Sequence, residues 1–332
     1  MWLFKTPEGI VVFILCILAA LTLFYFLSCV IVSYILFILQ LKRTSKKKWA
    51  RQVSKKQPIM IKMYNEGMDW REKNKEFKKD VHIVNDGLNL YGEYYDFGFD
   101  RAVFFIPGRT ESLGYSFYFV QPYKELGFNV LTIDARAHGE SDGVYNTVGF
   151  EEHKDVLAWS KFLYEECGMK NILLHGICIG SSAALMALTK KDCPNYVCGL
   201  IADGMYTTFY ESFKNHMVSD YKQPEWPVMP LVTMWMKHYT GHNMKFGNIH
   251  IMDKLDKPLL MIHSKEDKYS LPSGAKILYE KCPHNNKMIV WFEHGAHSKL
   301  RVTDPNKYDS AIETFINKYF PKENKEKEKT SK

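Results

Sequence analysis

The chain has 332 residues, with 44 Lys and Arg against 37 Asp and Glu, a formal charge of +7. The basic excess sits in one block, Lys42, Arg43, Lys46, Lys47, Lys48, Arg51, Lys55 and Lys56, with no acidic residue between them. That pattern marks a juxtamembrane flank and argues against a nucleic-acid surface. Setting aside this flank and the apolar segment before it leaves about 270 residues, enough for one large α/β domain without a second.

In chain order, Gly9 to Gln40 is almost unbroken hydrophobic sequence, and roughly 20 apolar residues already cross a bilayer. Residues 9–41 are therefore expected to form a transmembrane helix. A cleavable signal would place its charges before a shorter apolar stretch, whereas here the basic block follows. The positive-inside rule then puts the rest of the chain in the cytoplasm, as a single-pass protein of the cell membrane whose basic flank lies against anionic headgroups. Residues 42–80 read as a basic juxtamembrane linker.

Val81–Val84 and Leu88–Tyr95 flank Asn85-Asp86-Gly87, a hairpin signal. Apolar runs recur at Ala102–Ile106, Asn129–Ile133, Ile172–His175, Gly199–Ala202, Pro258–His263 and Lys287–Phe292. Helical stretches separate the middle four, so the reading is a mostly parallel eight-stranded sheet with helices on both faces, over residues 81–320. Residues 206–248 interrupt the rhythm with Trp226, Met229, Trp235, Met236 and Tyr239. They read as a small helical cap, whose aromatics either pack it onto the domain or line a lid. Residues 321–332 form a Lys/Glu-rich tail, expected to be disordered.

Of seven cysteines, Cys16 and Cys29 fall in the apolar segment. Cys167, Cys178, Cys193, Cys198 and Cys282 show no metal spacing or disulfide framework, which suits a reducing compartment and implies no metal and no organic cofactor. Cys178 stands apart in Gly176-Ile177-Cys178-Ile179-Gly180, between a strand-like run and a small-residue helical run. A nucleophile on a tight strand-to-helix turn needs neighbours two residues away without side chains, and the following helix turn offers amides to an oxyanion. The competing reading is a buried structural cysteine. Ser181 and Ser182 lie inside the helix and cannot occupy the tip.

A thiol nucleophile needs a base and an acid to orient it. The strand 258–263 is followed by Ser264-Lys265-Glu266-Asp267, and the strand 287–292 by Glu293-His294-Gly295-Ala296-His297-Ser298. Either carboxylate and either histidine is admissible by position, Asp203 after the strand 199–202 is a further acid, and the chain order is nucleophile, acid, histidine.

These features resemble the α/β-hydrolase family from about Val81 to Phe320, in particular its membrane-anchored bacterial branch similar to serine aminopeptidase and monoacylglycerol lipase domains. Ile133-Asp134-Ala135-Arg136-Ala137-His138-Gly139-Glu140-Ser141 resembles the family's Asp-x-Arg-Gly-His-Gly-x-Ser segment, with Ala137 for Gly. Ile106-Pro107-Gly108-Arg109 stands where the family has its His-Gly pair, with Pro107 for His. Position by position, the resemblance implies Cys178 as nucleophile in place of serine, Asp267 as acid, His297 as base, and the amides of Arg109 and Ile179 as the oxyanion hole. His138 and Asp134 brace the loop, and His175 is a packed strand residue.

The function so implied is a membrane-anchored hydrolase that cleaves an ester, thioester or related acyl bond of a small-molecule or lipid-like substrate through a covalent acyl-enzyme. Two alternatives stand beside it. One is acyl transfer or thioester hydrolysis; the other is an inactive hydrolase fold serving as a binding module.

Overall fold

The structure, a computed structural model, describes residues 6–50, 57–111 and 113–321. Arg51, Lys55 and Lys56 of the basic block and residues 322–332 of the charged tail lie outside these.

Helix α1 (Pro7–Leu41) opens behind Thr6, whose side chain accepts from the Gly9 amide, and is long and apolar enough to cross a membrane. Its residues from Ile10 to Leu27 are exposed, while Cys29, Ser33, Leu36, Phe37, Gln40 and Leu41 are buried. The buried set follows the three-and-four spacing of one helix face. Its 35 residues extend about 52 Å, against a hydrocarbon core of about 30 Å. The helix thus has a bare length and a docked length.

Within the segment expected as a linker, α2 (Pro58–Lys73) is an integral helix. Met63 and Gly67 are buried, and a Cβ on Gly67 would come 2.9 Å from the Tyr118 amide nitrogen, so only glycine permits the approach. Arg71 then grips the fully buried Glu93 through Nε and Nη2, both at 2.9 Å, with Tyr95 donating to the same carboxylate at 2.8 Å. Such a fork is a strong, geometrically specific pair.

The hairpin β1 (Lys78–Asn85) and β2 (Leu88–Tyr95) leads to β3 (Arg101–Ile106), α3 (Leu113–Phe119), β4 (Asn129–Ile133), α4 (Glu152–Glu165), β5 (Asn171–Ile177), α5 (Ile179–Leu188) and β6 (Val197–Asp203). Helices α6 (Phe209–Asp220) and α7 (Val228–Thr240) come next, followed by β7 (Leu259–Ser264), α8 (Pro272–Lys281), β8 (Lys287–Phe292), α9 (Leu300–Thr303) and α10 (Pro305–Tyr319). The eight strands lie in the order β1-β2-β4-β3-β5-β6-β7-β8, with β1, β2 and β4 paired antiparallel and the others parallel. This is the α/β-hydrolase fold.

Strand periodicity sorts the core into two layers. Phe104, Leu131, Leu174 and Met261 face α4, α5 and α8, where Trp159, Leu185 and Leu278 pack. Their neighbours Phe105, Val130, Leu173 and Leu260 face α2, α3 and α10, where Met63, Phe117 and Ile312 pack. Strands buried on both faces read as unbroken apolar runs, which is why β3, β4, β5 and β7 stand out in the sequence.

A third cluster joins the end of α1 to the two helices after β6. Phe37 and Leu41 pack with Phe213, Met229, Val232 and Met236. Trp235 Nε1 donates to Ser33 Oγ at 3.0 Å, and the Phe37 and Tyr239 rings stack with centroids 5.3 Å apart. The basic segment after α1 is docked as well: Arg43 donates to the carbonyls of Ser141 and Gly139, and Lys48 Nζ reaches the Ile38 carbonyl at 2.8 Å, capping the helix end. Lys46 and Lys47 remain exposed.

Candidate active site

Parallel register brings three loops together at the carboxyl edge of the sheet, the usual ligand edge of such sheets. Ile177, the last residue of β5, pairs with Asp203 of β6, and Ser264 at the end of β7 pairs with Phe292 at the end of β8. The turns after β5, β7 and β8 carry Cys178, Asp267 and His297.

Cys178 has φ 53° and ψ −108°, a strained conformation between β5 and α5. The flanking glycines make the turn possible. A Cβ on Gly176 would lie 2.4 Å from the Ser181 nitrogen, and one on Gly180 only 2.1 Å from the Ile106 carbonyl oxygen. The chain from Ile106 to Arg109 therefore runs directly over the first turn of α5. Gly180→Ala must push that loop off the elbow. The expected result is a loss of about 1–3 kcal/mol of stability and a kcat lowered roughly 10²–10³-fold if the displaced loop amide is an oxyanion donor, checked by thermal unfolding and steady-state turnover.

Asp267 is almost wholly buried, and its oxygens are divided between two tasks. Oδ1 accepts from the amides of Tyr269 and Ser270, each at 2.9 Å, while Oδ2 lies 2.7 Å from His297 Nδ1. Burial alone would raise the Asp267 pKa, but the imidazole outweighs it and holds the carboxyl below its usual range. His297 shows the converse: burial lowers its pKa, and the charges of Cys178 and then Asp267 raise it well above the ordinary histidine value. With Nδ1 engaged by Asp267, Nε2 is the nitrogen left to serve Cys178.

The other candidate acids and bases are placed elsewhere. Glu266 turns to solvent and pairs with His294 at 3.0 Å. Asp203 is fully buried, accepts from Tyr308 Oη at 3.0 Å, and is pushed up to about 7 by that burial. Tyr308 in turn meets His175 Nε2 at 3.1 Å, with Tyr123 on its other nitrogen. Burial pushes His175 down to about 3, a packed neutral strand residue. Burial likewise pushes His138 down to about 4. Its Nδ1 bonds the Arg136 carbonyl at 2.9 Å, so Nε2 accepts from the Thr110 amide at 3.3 Å. Asp134 accepts from the amides of Leu113 and Glu140, and these contacts hold the loop that carries Arg109.

Among the described residues, neither the Arg109 nor the Ile179 amide donates to a protein acceptor, as expected at a helix start and a bent loop. No group of three or more His, Cys, Asp or Glu that could hold a metal occurs among them either. Cys178 and His297 open into a cleft of about 350 Å³ that also borders Arg109, Phe213, His216 and Tyr269. Two contributors have no sequence signal: the Arg109 side chain, and Gln40 at the end of α1, which accepts from Arg109 Nη1 and donates to Tyr221 Oη at 3.1 Å.

Comparison with known proteins places the chain in a family. The chain is 28% identical over 211 residues to the uncharacterised protein YqkD of Bacillus subtilis, spanning 63% of this chain and 68% of that one. The esterase Pf2001 of Pyrococcus furiosus superposes with a TM-score of 0.62 at 25% identity, covering 74% of this chain and 95% of that one. Acylaminoacyl peptidase of Pyrococcus horikoshii shares the fold, with a TM-score of 0.56 and 18% identity over 75% of this chain and 42% of its own. The prolyl oligopeptidase family matches residues 115–323, a stretch that takes in the elbow, the acid loop and the histidine loop. The chain is therefore an α/β hydrolase and belongs to the prolyl oligopeptidase family.

Proposed function

We propose that this hydrolase cleaves an ester, thioester or related acyl bond by nucleophilic attack of Cys178, with His297 as general base and acid and Asp267 orienting it. The observation that carries this reading is the His297 imidazole held at 2.7 Å by a buried, doubly anchored Asp267, on the wall of the cleft that Cys178 also lines.

His297 takes the thiol proton and Sγ attacks the acyl carbon, with the oxyanion received by the Ile179 and Arg109 amides. Collapse breaks the bond to the leaving group, which departs with the proton from His297 and leaves a thioester on Cys178. Water then attacks that thioester, giving its proton to His297, and the free acid leaves as the thiol is restored.

The exposed length of α1 serves as a single-pass anchor, with the catalytic domain on the cytoplasmic side where the basic residues after α1 lie. Docking of the buried length of α1 on α7 supports this arrangement, because it holds the cleft close to the bilayer and favours a lipid-like acyl substrate. Esterase activity is a property of Pf2001, which shares this fold.

A thiol-directed acyl probe on the purified full chain tests the reading. Labelling is expected at Cys178, absent in Cys178→Ala and reduced about tenfold or more in His297→Ala. Slow labelling indifferent to His297 would leave a binding module rather than an enzyme.

A further inference from the structure

Among the described residues no carboxylate pairs with one cation of the cleft, and the negative charge that cation feels most is that of Cys178. Arg109 borders the cavity beside Cys178, and among the described residues no carboxylate forms an ion pair with it. Its guanidinium is held instead by a neutral group, the Gln40 side chain, with the Gln40 carbonyl at 3.4 Å. Among the described residues, every carboxylate around the cleft is engaged elsewhere. Glu111 meets Lys299 at 3.4 Å and the Gly108 amide at 3.4 Å, Asp220 meets His216 at 2.9 Å, Asp267 meets His297, and Asp203 meets Tyr308.

The imbalance is felt by its neighbours. Burial lowers the Lys48 pKa and the Arg109 charge lowers it further, and His216 is depressed by burial and then by the same guanidinium. A half-buried, always-charged fork on a cleft wall with no carboxylate partner is a ready site for an anionic ligand. Its planar donors match an oxyanion such as carboxylate or phosphate. Gln40 accepts from Nη1, and the other donors of the fork have no hydrogen-bond partner among the described residues.

We propose that Arg109 forms an anion subsite beside Cys178, positioned by Gln40 of α1, and that the natural acyl substrate carries a carboxylate or phosphate bound there. The substrate is then amphiphilic, with one oxyanion near the scissile acyl bond. This rests on the acyl chemistry proposed above. It also gives the docked end of α1 a part in substrate binding, because the residue that holds the guanidinium comes from that helix.

The test uses the full chain in neutral detergent with two p-nitrophenyl esters of equal length, the valerate and the glutarate, which differ by a terminal methyl against a carboxylate. The wild type is expected to prefer the glutarate, and Arg109→Gln to lower the glutarate-to-valerate ratio of kcat/KM by at least about tenfold. Arg109→Lys should restore part of the preference, and Gln40→Ala should lower it about threefold or more by freeing the guanidinium. Inorganic phosphate should compete with the glutarate and slow iodoacetamide alkylation of Cys178 in the wild type, but not in Arg109→Gln. Equal losses on both esters, or alkylation indifferent to phosphate, would overturn the subsite. If phosphate shields Cys178 while neither ester is cleaved, the subsite stands and the hydrolytic reading falls.

Discussion

Replacing Cys178 with alanine is expected to abolish acyl-enzyme formation and to lower kcat on an activated ester about 10⁴-fold or more, to the level that oxyanion donors and binding alone sustain. The variant is clean because position 178 already holds a non-glycine residue at φ 53°. Alanine inherits that strained turn without adding to it, and the frame of Gly176 and Gly180 is untouched. Intact-mass measurement after brief exposure to ester should show the acyl adduct on the wild type and none on Cys178→Ala. Retention of more than about a tenth of the turnover would remove Cys178 from the mechanism.

Cys178→Ser separates the machinery from the atom. Serine occupies the same tip and meets the same imidazole, and its ester intermediate is resolved by the same water. Esterase turnover in this variant is therefore expected to exceed that of Cys178→Ala by about 10²-fold or more. A serine variant as inactive as the alanine would mean that the thiol itself, rather than its setting, carries the activity.

Much of this site was legible in the sequence because its requirements are local. The elbow shows itself through Gly176 and Gly180, where a side chain would strike Ser181 or Ile106. Buried parallel strands announce themselves as apolar runs, and the eight expected strands are the eight observed. Where the sequence was silent, the cause is tertiary. Glu266 and Asp267 are adjacent, and spacing alone does not say which faces a histidine inward: Glu266 meets the exposed His294 and Asp267 the buried His297. Helix α2 buries little more than Met63 and Gly67, so its composition reads as linker. The apolar stretch of α1 gives no sign of its division, since leucine and phenylalanine serve a lipid-facing helix and a docked one alike. Arg109 was assigned through its amide alone, because the partner that holds its side chain is 69 residues away, in a segment read as membrane.

Asp267→Asn is expected to lower kcat roughly 10³–10⁴-fold through the histidine tautomer. The geometry fixes how the new amide must sit. The Tyr269 and Ser270 amides both donate to Oδ1, so the asparagine carbonyl takes that position and its NH₂ faces His297 Nδ1. A donor at Nδ1 forces the ring proton to Nε2, where it points at Cys178 and leaves no lone pair to accept the thiol proton. The pH response follows with a definite sign. The Cys178 and Asp267 charges hold the imidazolium well above the usual histidine range, against the effect of burial. Removing one of these charges shifts loss of the imidazolium to lower pH. Iodoacetamide alkylation at about pH 6, which draws on the charged pair, should fall about tenfold relative to wild type. Asp267→Ala, which leaves Nδ1 free to bind water and either tautomer accessible, should be the milder variant in kcat. An Asp267→Asn protein with normal turnover and an unshifted alkylation profile would show that Asp267 only packs the loop between β7 and α8.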